Sequence, residues 1–173
     1  MSVKDFVQQR RDVLIAMRRD FHMYPEPAWL EYRSAAKVAD TLISLGYDVA
    51  LGADVLDLES RMGLPSDEVM KAAMDRAIKE GANPELVEKM GYGKTAIVAT
   101  MKFGGEGPVV AFRVDMDSND VIEAKEDSHV PTKEGFRSCH DKAMHACGHD
   151  AHMTMGLGCL LYTSDAADER SSV

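Results

Sequence analysis

Two β-prone runs, TAIVATMKF at 95–103 and PVVAFRVDM at 108–116, limit the fold more than any other feature of the sequence. Both are rich in β-branched residues and only GGEG separates them, so the spacing predicts adjacent strands joined by a hairpin turn. GGEGP is not a phosphate loop, because no helix follows it. Helical patterns come first. Phe6, Val7, Leu14, Met17 and Phe21 fall mainly on helical spacing over 5–21, and the PEP at 25–27 ends that helix. A second helix is expected over 31–45, with Ala35, Val38, Ala39 and Leu42 on one stripe and Gly46 as its C-terminal cap, leading into a short β-prone stretch at 47–51. Residues 52–94 have a turn-rich start and helix-like runs at 67–79 and 84–90, as an insertion between two strands would. A further helix is expected to begin near His149. Helices on strands, then a loop and another helix, indicate an α/β sandwich.

Composition narrows the function. The chain has 173 residues, 45% hydrophobic and 28% charged, which suits one globular domain. Its 29 acidic residues against 20 basic ones leave a formal charge of -9, and the basic residues are scattered, so no phosphate-binding stripe exists and nucleic acid is not an expected partner. The segment MSVKDFVQQRRDVLIAMRRDFH has no apolar run of signal-peptide length, and no membrane association is expected. Cys139, Cys147 and Cys159 are an odd number without framework spacing, which suits a reducing compartment and points to the cytoplasm.

The chemistry gathers in HACGHDAH at 145–152. Cys147 and His149 are two apart, so on a regular helix they would point about 200° away from each other. On a loop entering a helix they can converge, and Gly148 between them permits such a loop. A lone Cys-x-His is more often a buried thiol beside a satisfied imidazole. Here, however, four of the six histidines lie between 140 and 152, and His145 and His152 flank the pair, a donor set suited to Zn, Mn or Co. Asp115 and Asp117 follow the second predicted strand, and residues two apart on a strand face one side. DMDSND reads equally as a local turn and cap cluster or as carboxylates that orient imidazole ligands. His22, near Glu26 and Trp29, is expected to play a structural part at a helix end, favoured there by the helix dipole. His129 and His140 read as loop residues, and the methionines as core.

RRDFHMYPEPAWLEYRSA, VVAFRVDMD and MHACGHDAH, in this order, resemble the dinuclear-metal amidohydrolase family that includes aminoacylases, hippurate hydrolases and auxin-conjugate hydrolases. The similarity covers residues 1 to about 158. It implies the N-terminal part of a three-layer α/β/α zinc-peptidase-like catalytic domain, with 52–94 as a helical insertion and with the lid or dimerisation domain absent. It also implies Cys147 and His149 as metal ligands, with Asp115, Asp117, His145 and His152 beside the site, and two divalent ions, Mn or Zn, whose ligand set is incomplete in this chain. The implied reaction is metal-assisted hydrolysis of the amide of p-aminobenzoyl-glutamate or a related N-acyl amino acid, with a second subunit or a homodimer in the full-length form. The general-base Glu of the family lies downstream of HACGHDAH, so the fragment is expected to be inactive and poorly stable, with unpaired sheet edges.

After Gly158 the similarity stops. CLLYTSDAADE at 159–169 resembles the frame translation of a transposase-type sequencing-library adapter, so 159–173 is expected to be a non-native tail. The competing reading is a non-catalytic metal-binding or subunit-interaction protein that ends here naturally.

Overall fold

Ser2 starts the first helix by accepting the Asp5 amide on its hydroxyl. In the computed structural model, which describes residues 1–104 and 106–171, this helix is α1 (Val3–Gln9), and a second, α2 (Arg11–Met23), follows at once. The single helix expected over 5–21 is therefore two. Arg10 departs from helical geometry at φ -98° and ψ 5°, while the Arg10 amide still reaches the Phe6 carbonyl. α1 buries Phe6 against the ring of Tyr162, 5.3 Å away edge-on, whereas α2 buries Phe21 in a different cluster.

Tyr24 and Pro25 end α2, since a residue before proline avoids the helical region. The next helix, α3 (Tyr32–Ser44), has no cap from its adjacent residue. Instead the carboxylate of Glu26, fully buried, takes the amides of Arg33 at 2.9 Å and Ser34 at 2.8 Å. Those are orphan donors of the first turn, so one side chain satisfies both. Burial nevertheless pushes the Glu26 carboxyl up to about 7, against the pull of the two amides. At its other end α3 closes in a Schellman motif: Gly46 takes the left-handed φ of 82°, its amide bonds the Ile43 carbonyl, and the Tyr47 amide bonds that of Leu42. Leu42 and Tyr47 pack together in the core, and the chain leaves in the direction of β1 (Asp48–Leu51).

β1 pairs antiparallel with β2 (Ile97–Thr100), in the register Asp48 to Thr100 and Leu51 to Ile97. Between them lie one 3-10 turn at Gly52–Val55 and two helices, α4 (Asp67–Lys79), capped by Ser66, and α5 (Pro84–Met90), capped by Asn83 with proline in its first turn. Small residues let these helices approach α3 closely: Ala35, Ala36 and Ala39 meet Ala73, Ala77 and Val87. The Tyr32 hydroxyl, inside this cluster, accepts the Gly93 amide at 2.8 Å.

The expected hairpin between 95–103 and 108–116 does not form. Its turn includes position 105, outside the described residues. β2 takes β1 as its partner because Ile97 and Leu51 both pack on the α3 core, and 108–116 has no ladder partner among the described residues. It runs without regular structure, with Val109 98%, Val110 70% and Phe112 67% exposed. The sheet accordingly has two strands, and a third layer is not present among the described residues.

After a short α6 (Val130–Lys133), the last helix, α7 (His149–Ser171), lies along α2 and buries Met153 and Leu157 beside Phe21. It passes through Gly158 without a break, so most of the expected tail is helical here, while residues 172 and 173 lie outside the described residues. No described helix is long and apolar enough to cross a membrane.

One buried cation links three helices. The Arg33 guanidinium forks onto Asp20 of α2 at 2.9 and 3.1 Å, lies 3.8 Å over the Tyr24 ring, and donates from Nε to the Glu80 carbonyl at the end of α4. Burial alone would raise the Asp20 carboxyl, but Arg33 and Lys37 more than reverse this and hold it below its ordinary range. Arg33→Ala is expected to cost about 3 kcal/mol in urea denaturation, and Arg33→Lys to recover less than half, because an ammonium cannot fork. Equal stability of Lys and Arg at this position would refute the bidentate role.

Candidate metal centre

The site is built at the start of α7. Gly148 has φ 81°, a left-handed conformation that other residues adopt at a cost, and this turn separates Cys147 from the helix that His149 begins. From His149 onward helical spacing applies, so His149 and His152 share a face, with rings 5.4 Å apart and stacked at 24°. The chain end of 108–116 passes in front of them. Asp115 bonds His152 Nδ1 at 2.7 Å and approaches His149 Nε2 at 3.7 Å, while His149 Nδ1 meets the Asp117 carbonyl at 2.7 Å and its carboxylate at 3.1 Å.

A carbonyl can only accept, so His149 Nδ1 donates to Asp117, and this turns Nε2 towards Asp115. One ligand atom from each of Asp115, His149 and His152 lies within 4.8 Å of the others. The hydrogen bond from His152 holds the Asp115 carboxyl below its ordinary range, so it is available as an anion. Two imidazoles and a carboxylate are a donor set that Zn or Mn accepts. Asp115 and Asp117 therefore both address His149 from opposite sides of its ring, although the strand that predicted their common face is absent.

Cys147 is not one of this trio. Its thiol is exposed, and its amide bonds the Asn119 side chain at 3.2 Å. His145 is 4% exposed with neither ring nitrogen bonded, and burial drives its pKa down to about 4. An imidazole buried in this way, neutral and unsatisfied on both nitrogens, is costly unless something else meets it. The donor trio and this orphaned imidazole fit a site that takes a cation.

His22 has the structural position expected of it at a helix end, with partners that the sequence did not indicate. It stands in the last turn of α2 but is buried between two carboxylates, Nδ1 to Asp150 and Nε2 to Glu123, each at 2.8 Å. Asp150 also meets Arg18 at 2.8 Å and the Ala151 amide at 2.8 Å, and Glu123 takes His129 and the Ser138 amide. Burial lowers the affinity of His22 for its proton, but Asp150 and Glu123 more than offset it, and its pKa is raised. For both carboxyls burial acts upward, and their cationic partners bring them below the ordinary range. Sequence reasoning missed both. Asp150 is inside the motif and could have been weighed, whereas Glu123 lies in a polar run, VIEAKED, with no distinguishing signal.

No protein-family profile matches the chain. A p-aminobenzoyl-glutamate hydrolase subunit from Escherichia coli (strain K12) is 46% identical over 157 residues, 91% of this chain and 36% of its own length. The indole-3-acetyl-aspartic acid hydrolase of Enterobacter agglomerans is 42% identical over 171 residues, 99% of this chain and 39% of its own length. The crystal structure of an aminobenzoyl-glutamate utilization protein from Klebsiella pneumoniae superposes with a TM-score of 0.77 at 35% identity, over 97% of this chain and 36% of that one. This chain thus spans less than two-fifths of the length of each relative.

Stability drawn from His22 is complete below its ordinary pKa of 6.5 and is lost as pH rises through the raised folded value. That drawn from Glu123 and Asp150 is complete above their ordinary values of 4.5 and 3.8 and is lost as pH falls. The stability difference between the wild type and His22→Gln should therefore peak between pH 4.5 and 6.5, on the order of 3 kcal/mol, and shrink on either side. A difference that does not change with pH in thermal unfolding would contradict a charged His22.

Proposed function

Since this chain belongs, over nine-tenths of its length, to the amidohydrolase family of p-aminobenzoyl-glutamate hydrolase and its relatives, we propose that it is part of a metal-dependent amidohydrolase. The substrate proposed is p-aminobenzoyl-glutamate or a related N-acyl amino acid, cleaved at its amide bond. The observation that carries this reading is the convergence of Asp115, His149 and His152 at the N-terminus of α7. In the proposal these three, with Cys147 swinging in from the adjoining loop, hold divalent cations, Mn or Zn. What such ions supply is Lewis-acid polarisation of an amide carbonyl and acidification of water.

The chain's own residues do the positioning. Asp117 fixes the tautomer of His149 by accepting its Nδ1 proton, so Nε2 remains a donor to metal. Asp150 accepts the Ala151 amide in the first turn of its own helix and is held by His22 and Arg18, so the imidazoles enter from an anchored helix end. The three-layer architecture implied by the family is proposed for the complete domain. Residues 159–173 are proposed to be a non-native tail, while the alignment with the Enterobacter relative, over 171 residues, runs past Gly158. The Escherichia coli relative is named as one lettered subunit of its hydrolase, which supports an assembly with a second subunit or a second copy, and a cytoplasmic location is proposed from the free thiols.

His149→Ala should weaken Mn or Zn binding on the order of 100-fold in calorimetric titration of the 173-residue chain, and unchanged binding would sink the assignment. Cys147→Ser decides the thiol's part in the same titration, since an unaltered affinity removes it as a ligand. The 173-residue polypeptide, loaded with Mn or Zn, should release no glutamate from p-aminobenzoyl-glutamate above the metal-only background, because the trio of donors among the described residues includes no Glu to act as general base. Measurable turnover would show that a base exists among these residues.

A further inference from the structure

A second group of donors lies outside the site described above. Glu80 caps the C-terminal end of α4, and Cys139 and His140 belong to the loop that follows α6. One ligand atom from each lies within 4.8 Å of the others. The loop is stiffly held: the Ser138 hydroxyl shares its one proton between the carbonyls of His140 and Ala143 and accepts the His140 amide, while the Cys139 amide bonds the Met23 carbonyl at 2.9 Å. Glu80 is fixed from its own side by Arg33, which donates to its carbonyl.

Two contacts aim the His140 ring at this cluster. Its Nδ1 donates to the Pro25 carbonyl, an obligate acceptor, at 2.7 Å. Its Nε2 faces Glu80 Oε1 at 2.8 Å. The other Glu80 oxygen is buried without any hydrogen-bond partner. Burial and the negative Glu80 push the Cys139 thiol up, with Arg33 and Arg76 pulling the other way. A thiol, an imidazole nitrogen and a carboxylate with one buried oxygen free of hydrogen bonds thus converge on one point.

We propose that Glu80, Cys139 and His140 form a second cation site, for a borderline-soft divalent ion of the Zn2+ type, that clamps the end of α4 to the 138–143 loop. Tetrahedral zinc sets its nitrogen and oxygen ligands about 3.3 Å apart, so the His140 to Glu80 contact must open by about 0.5 Å, a side-chain adjustment. The fourth position is left to water. This site ties the helices between β1 and β2 to the segment leading into HACGHDAH, and it shares no ligand with the Asp115, His149 and His152 trio.

The test uses the 173-residue chain stripped with EDTA and titrated with Co2+ as a spectroscopic substitute for Zn2+. A thiolate-to-cobalt charge-transfer band in the near ultraviolet is expected for Cys147→Ser, in which the thiol beside the first centre is gone, and its loss is expected when Cys139→Ser is added to that variant. A band absent from Cys147→Ser, or one that survives the added Cys139→Ser, overturns the proposal. Because Cys139→Ser could fail to fold, the unmutated chain provides a second measurement: Zn2+ should slow iodoacetamide labelling of Cys139 by about tenfold or more, read on its peptide by mass spectrometry. Equal labelling with and without Zn2+ overturns the proposal as well. Since His149→Ala removes only the first centre, failure of that centre and failure of this one give different results.

Discussion

The imidazole of His22, buried between Asp150 and Glu123, is the contact on which the rest of the structure depends. It joins the end of α2, the start of α7 and the 118–129 segment at one point, and the two carboxylates it pairs with are wholly buried. Any one member removed leaves a buried charge without its counterion, which costs more than the pair contributes when intact. Arg18 pairs with Asp150 and the His129 ring bonds Glu123, so each buried carboxylate has a second partner besides His22. The result is a fixed entry point for α7, and thus a fixed position for the side chains of its first turn.

Much of the helical scaffold was legible because helix signals are local. Ser66, Asn83 with Pro84, and Gly46 occupy the cap positions their chemistry favours, and α4 and α5 begin and end where periodicity places them. Strand pairing was not legible, because a β-branched run announces a strand without naming its partner. β2 satisfies β1, forty-odd residues earlier, and the equally β-prone 108–116 goes unpaired. In the site, HACGHDAH pointed to Cys147 and His149 as ligands with His145 and His152 beside them, whereas the atoms that converge belong to His149, His152 and Asp115, and the spacing of Asp115 and Asp117 pointed to a shared function through a strand geometry that is not present. Glu123 and Glu80 gave no warning, since a single Glu in a polar run acquires a role only through what folds onto it.

α3 is the element around which both halves are arranged. Its alanine face receives α4 and α5, and its other side carries Val38 and Leu42 into the cluster with Phe21 and Met153. Glu26 caps its start and Arg33 in its first turn reaches α2 and α4, so a helix with no cap of its own is held by charges from its neighbours. Charge and packing agree on one orientation, which is how a segment with few large apolar residues specifies a single arrangement.

The distance along the chain between His22 and Asp150, 128 residues, has a further consequence. At a synthesis rate of about 10 residues per second, the imidazole leaves the ribosome roughly thirteen seconds before its partner exists. The pairing of β1 and β2 with the helices between them is complete in sequence well before that. The order of translation therefore leaves the helical half free to condense first, with α7 and the turn at its head docking onto it later.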